Sequence, residues 1–301
     1  MKNRRPDLEM RCLGKPPKLH HDAVSARTET GGRSGFTLIE LLVVIAVIAI
    51  LAAIPLPSLA KAKIQSQGIY CIGNTHQLMV AWQMYAGENG EKLVLNQNLD
   101  GPNQPVSGTW VTGDLTWQLD GDNTNYQYLV DPQWVTLAPY FGAARKISKC
   151  PADIYVAPSQ IGKGWGERVR SISMNFFMGD GQNPGEKDWA PGFVVYRKAS
   201  DMRKLTPANA WVLVDEHPDS INDAALIEIP GTAWGDLPAS YHNGACGFAF
   251  ADGHSEIHKW LDQNTIQPVN YSPLQIYQIN LLEGPNARDL PWLLARTGEG
   301  P

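Results

Sequence analysis

Cysteine is scarce in this chain. Its 301 residues hold four, and no two stand in a Cys-x-x-Cys pair. That removes thioredoxin-like redox chemistry and zinc ribbons. The chain also has no Gly-x-Ser-x-Gly, no His-Glu-x-x-His and no phosphate loop. Gly162-Lys-Gly-Trp-Gly166 is glycine-rich but lacks the strand and helix of a nucleotide site. Numerous carboxylates are present, yet nothing singles out a pair for acid/base work. The reading is of a protein that is not an enzyme. Positive charge is short as well, with 25 Lys/Arg against 30 Asp/Glu and a net charge of -5. Residues 1–35 carry eight of the basic residues and four of the acidic ones, so 17 basic and 26 acidic residues remain beyond them. An acidic body with a basic head argues against nucleic acid, which requires clustered cations. It suits a membrane protein whose basic end stays in the cytoplasm.

One region is nearly without charge. From Leu38 to Ile54 the single ionisable residue is Glu40. At about 1.5 Å per residue this run nearly spans a hydrocarbon core, and it is apolar on every side, unlike a helix of a soluble domain. Pro55 and Pro57 interrupt it. A secretory signal would need small residues at a cut after the run, and Ala52-Ala53-Ile54-Pro55 is a poor version.

Gly35-Phe36-Thr37-Leu38-Ile39-Glu40 and the following apolar run resemble the type IV prepilin signal, in which the cut precedes the run. The resemblance implies a cytoplasmic leader over 1–35, cleaved after Gly35 by a prepilin peptidase, with N-methylation of Phe36. Arg33 near the cut would help hold the leader in the cytoplasm. The chain would then be a single-pass inner-membrane protein with an extracytoplasmic C-terminal domain. A carboxylate within the bilayer costs about 3 kcal/mol. In pilin-like filaments the equivalent glutamate faces the N-terminal amine of a neighbour. Glu40 is therefore expected to pair with Phe36 of the next pilin-like subunit, the alternative being a side chain that reaches to the interface. Partners implied are the peptidase, other pilin-like subunits and inner-membrane lipid.

The expected fold is α+β: a long transmembrane and amphipathic N-terminal helix packed on an antiparallel sheet, with a loop-rich C-terminal region. Residues 36–57 form the membrane half of the helix, 58–90 the exported half, and 91–301 a β-rich domain. Ile64, Ile69, Ile72, Met79, Trp82 and Tyr85 recur at helical spacing and predict the packed face. Strands are predicted over 170–178, 193–197, 211–214, 247–251 and 255–260, with loops over 96–125 and 180–192. The last two strands flank Asp252-Gly253, a hairpin signal in which Asp caps its own backbone and Gly accepts positive φ.

His242, nine residues and then Asp252-Gly253 resemble the prepilin-associated H-x9-DG domain, as do Cys150-Pro-Ala-Asp153 and Asp215-Glu-His-Pro-Asp219. That resemblance brings no settled chemistry. His242 is expected to bond across the hairpin and fix its register. His254, Glu256 and His258 would share one face of a strand and are candidate ligands for a transition metal, or merely its solvated face. Asp215, Asp219 and Asp223, with Glu216, offer oxygen ligands suited to calcium, or read as a turn. No other cofactor is implied. Cys12 would leave with the leader. Among Cys71, Cys150 and Cys246 the expected disulfide is Cys71–Cys150, with Cys246 a buried small residue. Nine tryptophans between 110 and 292 leave a second functional reading open: a stem-anchored module with an aromatic platform for polysaccharide.

Overall fold

A computed structural model of the chain describes residues 35–96, 105–179, 193–228, 234–272 and 287–298. The expected leader through residue 34, with Arg33 and Cys12, and the expected loop over 180–192 lie outside the described residues. Contacts divide the chain into two compact units, with the boundary between Ala53 and Ile54.

In the first unit, helix α1 spans Leu38–Ala53 and buries none of its residues. With apolar side chains all round, it has no polar face to turn to water. The helical stretch that begins at Leu38 is long and apolar enough to cross a membrane.

The second unit opens with helix α2, Leu56–Glu88, which has a proline in its first turn, where no backbone N–H is missed. It stops where Asn89 donates its backbone N–H to Tyr85 O and Ala86 O and Gly90 takes a φ of +64°. Two short helices follow, α3 (Gln127–Val130) and α4 (Pro158–Gly162), and α5 (Asp289–Thr297) closes the described chain. Five strands form one sheet in the order β3-β1-β2-β4-β5: β1 Ile172–Asn175, β2 Trp211–Asp215, β3 Ala225–Leu226, β4 Ala245–Phe250 and β5 Ser255–Lys259. All neighbours are antiparallel except β1 and β3. The fold is α+β, as expected.

The alternation of β4 explains how helix and sheet meet. Cys246, Phe248 and Phe250 point to one face, where they pack with Trp211, Trp260 and α5. The alternate residues are Gly247 and Ala249, with Ala251 just past the strand, and this small-residue side faces α2. Little side chain stands between helix and strand, so the backbones approach closely. Strand β2 carries a register irregularity between Trp211 and Leu213. Val212 and Leu213 accordingly both join the cluster around α2, while Trp211 and Val214 join the opposite one.

Three expectations need correction. The packed face of α2 is Gly68, Cys71, Asn74, Thr75, Leu78, Met79, Ala81, Trp82 and Ala86, whereas Ile69 is 72% exposed. The buried stripe is small or polar in its first half, so apolar periodicity misplaces the face there, while Met79 and Trp82 are buried and Tyr85 packs on the core as expected. Strand β1 ends at Asn175 rather than 178, because Asn175 Oδ1 accepts the Phe177 N–H and turns the chain. The 193–197 segment makes only a single bridge, Tyr196 to Met178, since the chain opposite it is already in that turn.

Candidate functional site

Three places carry the residues singled out by sequence. At the start of α1, Glu40 Oε2 accepts the backbone N–H of Thr37 and its hydroxyl, both at 2.8 Å, and Thr37 Oγ1 accepts the Glu40 N–H at 3.2 Å. This reciprocal Thr-x-x-Glu arrangement is a capping box. It was legible in Thr37-Leu-Ile-Glu40 and was missed. Phe36 and Gly35 precede it and are exposed.

The second place is the β4–β5 hairpin. Asp252 Oδ1 accepts the His254 N–H at 3.1 Å, and Gly253 takes a φ of +98°. The turn docks on α2. His76 Nδ1 lies 2.9 Å from Gly253 O, and Gln83 Nε2 donates to Ala251 O at 3.0 Å. At the other end of the strand His242 lies against Gly68 of the same helix. The rise from Gly68 to Gln83 is about 22 Å, and a six-residue strand covers about 20 Å. The nine-residue interval thus matches two docking points on one helix. His242 does not bond across the hairpin: its Nε2 lies 3.4 Å from Cys150 Sγ.

That contact belongs to the third place. Cys71 of α2, Cys150 of the loop before α4, Asp215 at the end of β2 and His242 before β4 are all buried, and one ligand atom of each lies within 4.8 Å of the others. Cys71 Sγ donates to Asp215 Oδ2 at 2.8 Å. Ser171 Oγ donates to Asp215 Oδ1 at 3.3 Å and accepts the Cys150 N–H at 2.8 Å, joining the two. The Ala152 N–H reaches Cys150 Sγ at 3.5 Å. The loop itself is tied to α2 by Asn74 Nδ2, which donates to Lys146 O and Lys149 O. A Cβ on Gly247 would stand 2.8 Å from Cys71 Sγ and 2.9 Å from Asp215 Oδ2, so glycine is required there. The two cysteines paired in the sequence reading do converge, and they stand as free thiols.

Protonation follows from burial. The Cys150 contact and then burial push the Cys71 thiol well up. At Cys150 the Cys71 hydrogen bond lowers the value, but burial and the Asp215 charge outweigh it. Burial lifts Asp215 to about 7 and pulls His242 down. This is the reverse of a nucleophilic cysteine, which requires a depressed pKa and a histidine held by a third group. Among the described residues His242 Nδ1 has no such partner.

A family model described as the prokaryotic N-terminal methylation motif matches residues 31–54. The chain carries a prepilin-type N-terminus. No curated protein and no solved structure matches it. The motif supports a protein processed as type IV pilins and pseudopilins are, families whose members are structural subunits. The match contains the whole of α1: it begins seven residues before Leu38 and ends one residue beyond Ala53.

The other candidate residues are dispersed. His254 stacks on Phe250 and contacts Asp252 Oδ1, His258 stacks on Trp292, and Glu256 is half-buried on β5. Asp219 accepts from Trp117 Nε1 and the Asn270 N–H, while Asp223 accepts the Ala225 N–H. Neither set gathers its ligand atoms; among the described residues the group that does is Cys71, Cys150, Asp215 and His242. None of the described tryptophans is exposed, so those residues form no aromatic platform.

Proposed function

We propose that this chain is a membrane-anchored, pseudopilin-like structural subunit of a type II secretion or type IV pilus-like assembly. A prepilin peptidase removes the leader after Gly35, and the new Phe36 amine is methylated. Helix α1 stays in inner-membrane lipid until subunits gather, and the body that follows is extracytoplasmic. The observation that carries the reading is a methylation motif over 31–54 coinciding with an apolar helix that buries nothing in its own chain.

Glu40 then has two successive partners. In the isolated chain it caps its own helix through Thr37. In an assembly it turns to the Phe36 amine of the next subunit, a charged donor and therefore the stronger one. The C-terminal body is an H-x9-DG domain in which His242 and Asp252-Gly253 seat the hairpin on the stem. Its role is structural, not enzymatic.

Mass spectrometry of the protein isolated from its own membrane tests this. The expected mature N-terminus is N-methylated Phe36, and Gly35→Leu should leave the leader in place. An intact leader in the wild type, or a cut after Ala53, overturns the reading. Glu40→Gln should be processed normally yet lose cross-linking to neighbouring subunits.

A further inference from the structure

We infer that Cys71, Cys150, Asp215 and His242 form a binding site for one divalent transition metal, zinc by the chemistry of its donors. This goes beyond the assembly role and does not depend on it.

The donor set is two sulfurs, one imidazole nitrogen and one carboxylate oxygen. Thiolate and imidazole together favour zinc over calcium or magnesium, which take oxygen shells. Four protein donors from a closed, buried position describe a structural site rather than a catalytic one, which keeps a position open to water. Tetrahedral zinc, with Zn–S near 2.3 Å and Zn–N near 2.0 Å, sets sulfur and nitrogen ligands about 3.5 Å apart. Cys150 Sγ and His242 Nε2 stand at 3.4 Å. The Cys71–Asp215 pair, at 2.8 Å, must open slightly as its hydrogen bond is replaced.

The surroundings are those of a supported site. Ser171 holds Asp215 and the Cys150 backbone together, and the Ala152 N–H points at the Cys150 sulfur. Such outer contacts orient ligands. Gly247 keeps the space between Cys71 and Asp215 clear of a side chain. A cavity of about 360 Å³, lined by Tyr70, Lys149, Cys150, Asp153 and Glu167 among others, reaches the Cys150 side and supplies an entry path. Binding displaces the two thiol protons, and that of Asp215 where it holds one, into solvent. No electron changes hands.

The four ligands come from the helix, the 146–153 loop, β2 and the segment before β4, spanning residues 71 to 242. The metal would staple the stem to the body from within, the role expected of a disulfide in an exported domain.

The test uses the full chain in detergent, purified without chelator. Elemental analysis should find zinc bound at about one per chain. After chelation, cobalt(II) added to the wild-type protein should give thiolate charge-transfer and tetrahedral d–d bands, which zinc abolishes. Cys71→Ser and His242→Ala should each weaken cobalt binding by more than the roughly tenfold to hundredfold lost with a supporting residue. His258→Gln should leave it unchanged. Should the ligand variants misfold, alkylation of the wild type in mild denaturant decides, since both thiols are buried in the folded chain: zinc should slow labelling of Cys71 and Cys150, and chelation should restore it. Absence of both zinc and the cobalt–thiolate bands overturns the proposal. So does a peptide map that finds Cys71 disulfide-linked to Cys150.

Discussion

Helices α1 and α2 invite comparison because they follow one another in sequence yet meet different surroundings. Helix α1 is apolar throughout and buries nothing. The packed stripe of α2 includes Gly68, Cys71, Asn74 and Thr75, and these are buried. Apolar composition therefore marks the helix that buries nothing in its own chain, whereas the first half of the packed stripe on α2 is marked by small and hydrogen-bonding residues. The membrane-anchor role proposed for α1 accounts for the difference. Lipid offers no fixed shape and no polar group, so every side chain facing it must be apolar. A sheet face built of Gly247, Ala249 and Ala251 offers both shape and carbonyls, and a helix of small and polar residues fits it.

Paired truncations give the largest contrast. Trp82→Ala, at a buried site on α2, should destabilise the body by about 3–5 kcal/mol. Ile48→Ala, on exposed α1, should leave the thermal midpoint of the body unmoved. Equal effects would end the distinction between the two helices.

Acidity should act on the body alone. Burial, reinforced by neighbouring carboxylates, lifts Asp114 to about 7 and Asp236 to about 8; burial lifts Asp223 to about 6, against the pull of Arg170. Each binds its proton more tightly folded than unfolded. The resulting stability is complete below the ordinary value of 3.8 and is lost as pH rises through about 6 to 8. Asp252 and Asp262 act oppositely, since their hydrogen bonds outweigh slight burial, but they sit near the surface. The midpoint should therefore fall by several degrees between pH 5 and pH 8, and Asp236→Asn should flatten that slope.

Overpacking ranks next. Gly247→Val should cost about 1–3 kcal/mol, because its side chain would meet Cys71 and Asp215. The smallest effect belongs to Ile69→Ser, at a site 72% exposed, which should stay within about 0.5 kcal/mol in the melting of the body. A loss as large as that of Trp82→Ala would restore the helix face inferred from apolar spacing.

What could be read from sequence was local. The apolar run, the Asp252-Gly253 turn and strands β2, β4 and β5 each announce themselves within a dozen residues. The first half of the α2 face did not, because its buried residues there, Gly68, Cys71, Asn74 and Thr75, are small or polar. The 193–197 segment has strand composition but no free partner, a fact that lies in another part of the chain. The ligand cluster was half legible. Cys71 and Cys150 were expected to meet, as a tie between helix and sheet region, but Asp215 and His242 join them only through the packing of helix, loop and sheet. Asp215 was grouped instead with Asp219 and Asp223, its neighbours along the chain.

The β4–β5 hairpin acts as a ruler laid along α2, with one mark at Gly68 and another between His76 and Gln83. One residue added between His242 and Asp252 would rotate Phe248 and Phe250 onto the helix, where only glycine and alanine fit. Two added residues would restore the faces but carry the turn beyond His76 by more than one helical turn. Its length is thus held at both ends, and the chain between can vary only in which small side chains it shows the helix.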